Sequence, residues 1–199
     1  MKWWQNVKLC RVNNQTKPGK QAREASARVF FALWPDDAER AALAAWQPAL
    51  HKLCGGRSMR ADTLHATLVF LGNVVLHRLE ALQLAAQEVE GASFDLAFDV
   101  AHYWGHNHIV FAAPRIVPPQ LAQLVQALEQ RLGKHRFHFD QRPYKPHITL
   151  LRHVLWSDAP LPEMQRVVWR MRSFALVQSV PDENGANYQV LAWIPLNTA

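Results

Sequence analysis

The first sustained apolar pattern in the chain begins near Arg28. Val29-Phe30-Phe31-Ala32-Leu33-Trp34 is a continuous run of β-forming and apolar residues, which predicts a buried strand. Pro35 closes it. Asp36 or Asp37 can cap a helix whose apolar positions Ala42, Leu43, Trp46 and Leu50 recur at helical spacing, up to the break at Gly55-Gly56. Leu64–Leu71 predicts a second strand, ended by Gly72-Asn73. The stripe Leu76, Leu79, Leu82, Ala86 and Val89 predicts a helix stopped by Gly91. Residues 94–100 alternate at period two and predict one half-buried strand. A strand at Ile109–Ala112, a helix opened by Pro118-Pro119 and ended by Gly133, and a strand at His147–Leu151 follow. Residues 173–180 and 188–194 predict a hairpin turning through Glu183-Asn184-Gly185.

This order contains a repeat. Strand, helix and a strand opening on His-x-Thr occur from Phe30 to His65, and again from Val110 to His147, with nearly equal spacing. The expected architecture is α+β: a bilobal, duplicated fold in a single domain over residues 28–199. The 199 residues suffice for one compact domain with two similar lobes.

Charge changes this picture little. The formal net charge is +6, but residues 1–27 hold six basic side chains against Glu24 alone. The remainder is nearly neutral, so any grip on an anion has to come from a few placed groups. Residues 1–27 read as a basic, flexible extension, either a solvated tail or one that touches RNA. Two cysteines, Cys10 and Cys54, cannot make a four-cysteine zinc site. No apolar run reaches about 18 residues, and no signal-peptide core opens the chain, so a cytoplasmic location is expected. His102, His106 and His108 cluster without a ligand spacing that points to a metal.

The chemistry is carried by His65-Ala66-Thr67 and His147-Ile148-Thr149. On a strand, residues i and i+2 share a face about 7 Å apart, so each motif offers an imidazole and a hydroxyl on one surface. With 10 His and 5 Thr in the chain, chance alone gives His-x-Thr about 0.25 times. It occurs twice, each time after a matched strand–helix unit. Two such surfaces facing each other suit phosphoryl chemistry. One neutral imidazole takes a proton, one protonated imidazole gives one, and hydroxyls hold non-bridging oxygens, with no metal required.

Arg-Val-Phe-Phe-Ala-Leu-Trp-Pro, Leu-His-Ala-Thr-Leu-Val-Phe-Leu-Gly and Tyr-Lys-Pro-His-Ile-Thr-Leu-Leu-Arg together resemble the 2H phosphoesterase superfamily. Within it the chain is most similar to the bacterial RNA 2',3'-cyclic phosphodiesterases, the 2'-5' RNA ligase (LigT-like) family, over about Arg28 to Leu196. The resemblance implies antiparallel-rich sheets lining a central cleft, with helices outside. It implies a reaction that opens a terminal RNA 2',3'-cyclic phosphate to a 2'-phosphate. His65 is then the proton donor, His147 the proton acceptor, and Thr67 and Thr149 the phosphate binders. The residues alone do not distinguish the two histidines.

Three further positions are candidates for substrate contact. Tyr144 suits base stacking or, equally, packing at a strand entrance. Arg152 closes the second motif, although strict alternation puts it opposite Thr149. Arg60 precedes the first motif and suits substrate contact or a surface ion pair. The expected partner is RNA or a nucleotide ending in a 2',3'-cyclic phosphate, met by a monomer without cofactor, membrane or obligate protein partner. Alternatives are a 2'-5' ligase, a phosphoesterase for another cyclic phosphate or a 2'-5' linkage, and a non-catalytic RNA-binding module.

Overall fold

The computed structural model describes residues 24–155, 160–183 and 185–198. Most of the expected N-terminal extension lies outside those residues. The body starts two residues earlier than expected, because Ser26 and Ala27 already belong to the first strand.

Two four-stranded antiparallel sheets carry the two repeats. Strands β1 (Ser26–Leu33), β3 (Ala66–Val75), β9 (Ser173–Asp182) and β10 (Gly185–Pro195) form one sheet in the order β10-β9-β1-β3. Strands β2 (Arg57–Ser58), β5 (Val100–Trp104), β6 (Ile109–Ala113) and β7 (Ile148–Arg152) form the other, in the order β2-β7-β6-β5. Strands β4 (Phe94–Phe98) and β8 (Val167–Met171) pair separately. The helices are α1 (Asp37–Ala44), α2 (Gln47–Cys54), α3 (Leu79–Gln87) and α4 (Pro119–Lys134).

Four departures from the expected pattern have a local cause. The single helix after Pro35 is two. Asp36 caps α1 in a reciprocal pair with Glu39, and Pro48, lacking an N–H, sits in the first turn of a new helix instead of continuing the old one. Gly72-Asn73 does not end β3. Gly72 adopts φ +73° just after an extra residue in the β3 ladder, and pairing with β1 resumes through Asn73 to Val75. The run at 94–100 divides at Asp99, whose carboxylate accepts from the Arg115 amide, so its two halves enter different sheets. Gly133 lies inside α4, and the left-handed residue beyond that helix is Arg136.

The two repeats share one core and exchange their helices across it. Helix α2, between β1 and β3, packs on β7 of the other repeat. Helix α4, between β6 and β7, packs on β3 of the first. Leu50 and Cys54 of α2, with Leu121, Leu124, Leu128 and Leu132 of α4, are buried in that common cluster. Burying each such side chain contributes on the order of 1.5–3 kcal/mol. The motif strands are therefore tied to each other, and not only to their own sheets.

One buried polar side chain of α2 also reaches the second motif strand. Gln47, 8% exposed, donates its Nε2 hydrogens to the carbonyls of Met59 (2.8 Å) and Leu150 (3.0 Å). Replacing Gln47 by Leu strips both carbonyls of that donor. The expected cost is about 1–3 kcal/mol of stability, read as a lower urea midpoint at unchanged m-value.

Candidate active site

Both motifs are bent by an extra residue at the same place. In the β1–β3 ladder Phe31 pairs with Val69 and Ala32 with Thr67, so Leu68 is the additional residue. In the β6–β7 ladder Val110 pairs with Leu151 and Phe111 with Thr149, so Leu150 is. At such a bulge two consecutive side chains point the same way. Leu68 and Val69 are both buried, as are Leu150 and Leu151. The next residue is thereby returned to the face of the threonine. Arg152 joins His147 and Thr149, and Phe70 joins His65 and Thr67. This removes the objection from strict alternation to Arg152.

All six of these residues line one cleft of about 490 Å³. Its walls also include Arg28, Phe30, Met59, Ser179 and Tyr188. Each sheet carries a small apolar cluster of its own, Phe30, Ala32, Ala175 and Val177 in one and Ile109, Phe111 and Ala113 in the other. Phe30 meets His65 and Phe111 meets His147.

The imidazoles are held alike. His65 Nδ1 lies 2.7 Å from the carbonyl of Thr63, and His147 Nδ1 lies 2.7 Å from the carbonyl of Lys145. A carbonyl only accepts, so Nδ1 carries the proton in each neutral ring. Nε2 is left with its lone pair for the cleft. Aromatic rings clamp both histidines. His65 stacks on Phe30 (4.9 Å between centroids) and Trp34 (5.4 Å), with Tyr188 edge-on at 4.9 Å. His147 meets Trp104 at 4.6 Å and Phe111 at 5.7 Å.

Those surroundings favour neutral rings. Burial lowers the pKa of His65 to about 4, against the Thr63 hydrogen bond, with the His147, Arg152 and Arg40 charges lowering it further. Burial also lowers His147, against its bond to Lys145, and Arg152 adds to the depression. Arg40 reaches His65 indirectly. Its guanidinium lies 5.2 Å from the Trp34 ring centre, and Trp34 in turn stacks on His65. Arg40 Nη2 donates to the Pro35 carbonyl (2.6 Å) and Nη1 to that of Asp62 (3.1 Å), which fixes the cation there.

Two candidates are placed elsewhere. Arg60 Nε donates to Asp62 Oδ1 at 3.0 Å, and it is not among the residues lining the cleft. Tyr144 packs against the main core, and its buried hydroxyl has no hydrogen-bond partner among the described residues. Burial pushes that phenol's pKa up. Tyr144 is thus a partly buried aromatic packed at the strand entrance, and it is not among the residues lining the cleft. Phe70, Trp104, Tyr188, Arg28 and Arg40 were not singled out from sequence. Only the matched offset of Phe70 and Arg152 from their histidines could have flagged one of them.

Comparison with known proteins identifies the family. The family model described as the 2'-5' RNA ligase superfamily matches residues 34–181. The RNA 2',3'-cyclic phosphodiesterase of Escherichia coli is 34% identical over 125 residues, covering 63% of this chain and 71% of that protein. A protein of the same name from Thermus thermophilus is 29% identical over 185 residues, covering 82% and 87%. The crystal structure of E. coli LigT complexed with 3'-AMP superposes with a TM-score of 0.79 at 29% identity, covering 86% of this chain and 99% of that one. A fold with two interlocked repeats, a cleft flanked by two tethered imidazoles and a family match across most of the body lead to one conclusion: the chain belongs to the 2'-5' RNA ligase superfamily.

Proposed function

We propose that the protein is an RNA 2',3'-cyclic phosphodiesterase that works by two-histidine acid–base catalysis. The observation that carries this reading is the matched tethering of His65 and His147, which turns two Nε2 atoms toward one cleft. Relatives bearing that enzymatic name support the activity.

The reaction follows from the atoms present. A cyclic phosphate bound between the sheets accepts hydrogen bonds from the Thr67 and Thr149 hydroxyls and charge from Arg152. His147 Nε2 takes a proton from water as its oxygen bonds to phosphorus. The bond from phosphorus to O3' breaks, and His65 Nε2 gives O3' a proton. The product is a 2'-phosphomonoester, and one proton has passed from one ring to the other. His65 has to be protonated for this, yet its surroundings disfavour the charge. The negative phosphate supplies the missing field on binding. When an RNA 5'-hydroxyl replaces water, His147 takes its proton as its oxygen bonds to phosphorus, O3' leaves with a proton from His65, and a 2'-5' phosphodiester results, so ligation uses the same two rings, and the superfamily's description favours it as a second reading.

Incubation with RNA ending in a 2',3'-cyclic phosphate is expected to yield the 2'-phosphate, with a chelator present. His65→Ala and His147→Ala are each expected to lower kcat by about 10²–10⁴-fold without changing Tm by more than a few degrees. Release of the 3'-phosphate would reverse the roles given to the rings, and full activity in the double variant would end the reading.

The pH profile has a defined sign. Turnover needs one ring protonated and one neutral, a state most populated between the two pKa values of the pair. Both are depressed below 6.5 in the free protein. The kcat/KM maximum is therefore expected on the acid side of pH 6.5. The kcat maximum, set in the complex with phosphate, is expected at higher pH. Coincident maxima above pH 7 would contradict this.

A further inference from the structure

The cleft continues past the two histidines toward a basic residue that the chemistry above does not use. Arg28 is exposed on β1 and lines the cleft. Its guanidinium carbon lies 5.0 Å from the centre of the Phe70 ring. A guanidinium seated on an aromatic face keeps its in-plane N–H groups available, and those groups suit phosphate. Ser179, directly opposite Arg28 in the β1–β9 ladder, stands two residues of β1 beyond the level of Phe70, and it too lines the cleft.

The spacing is informative. Thr67, which faces the reacting phosphate, pairs with Ala32. Phe70, under the Arg28 guanidinium, pairs with Phe30. Those two levels differ by two residues of β1, about 7 Å along the strand. That is the order of one phosphate-to-phosphate step in an extended single strand. A terminal nucleotide carrying a 2',3'-cyclic phosphate joins the rest of its RNA through its 5' oxygen, so one phosphate lies one step upstream.

Resting on the phosphodiesterase reading, we propose that Arg28, seated on Phe70, holds the internucleotide phosphate immediately upstream of the cyclic end. The site then selects an RNA chain end over a free cyclic mononucleotide. It does so by charge and not by base, because the guanidinium contacts the backbone alone.

Three substrates test this: a 2',3'-cyclic mononucleotide, a dinucleotide with the same cyclic end, and that dinucleotide with an uncharged methylphosphonate linkage. The full-length protein is expected to favour the charged dinucleotide over the methylphosphonate by about tenfold or more in kcat/KM at low salt, as for a charge-assisted hydrogen bond. Added salt is expected to narrow the gap. Arg28→Ala is expected to abolish the ratio, and Arg28→Lys to keep part of it. Equal rates on the two dinucleotides, or an undiminished ratio in Arg28→Ala, overturns the second phosphate site while mononucleotide hydrolysis leaves the phosphodiesterase reading standing. No hydrolysis of any of the three overturns both.

Discussion

The geometry of the cleft depends on a core that the two repeats cannot divide. Each motif strand is backed by a helix that belongs to the other repeat, α2 behind β7 and α4 behind β3. Sliding one sheet against the other would pull those helices from their pockets. A well-packed interior resists such movement, since even one displaced methylene is felt. The side chains facing the cleft inherit that rigidity. Two histidines 82 residues apart in sequence thereby act at one place. Positioning of this kind is where much of the advantage of acid–base catalysis arises.

Electrostatics then distinguishes two rings that geometry makes alike. Both give their Nδ1 proton to a carbonyl two residues earlier in the chain, and both sit against aromatic faces. The difference is mainly one of burial. Burial lowers the His65 pKa to about 4, and the fixed Arg40 cation beyond Trp34 adds a smaller push in the same direction. The proposed proton donor is thus the ring most dependent on the substrate's charge to become protonated. On the proposed mechanism this arrangement links acid activation to phosphate binding, with a neutral pair in the free protein and a poised one in the complex.

Much of the site was legible in the sequence, because His-x-Thr at period two places both polar groups on one face whatever the surroundings. The two repeats were legible for the same reason. What periodicity could not reveal were the bulges at Leu68 and Leu150. Leu-Val and Leu-Leu read equally well as a buried run or as an alternation that slips by one. That ambiguity hid Phe70 and made Arg152 look misdirected. Strand β8 was missed although Val167, Trp169 and Met171 alternate clearly with exposed neighbours. Strand β5 was missed because His102, Tyr103 and Trp104 resemble a polar loop. Arg40 and Arg28 escaped because a cation's role depends on which ring it meets in space, and Trp34 and Phe70 are met only after folding. Tyr144 and Arg60 stood beside the motifs in sequence, but one packs partly buried against the core and the other pairs with Asp62.

The central claim is that both imidazoles stand neutral in the free protein with Nε2 bare toward the cleft. Nitrogen-15 NMR of the histidine rings reads this directly, because protonated and unprotonated ring nitrogens differ widely in shift. At pH 7 the account requires Nδ1–H and bare Nε2 for both His65 and His147, and an upward shift of the His65 pKa when inorganic phosphate is added. A free protein in which either ring carries its proton on Nε2, or is already an imidazolium at pH 7, contradicts it.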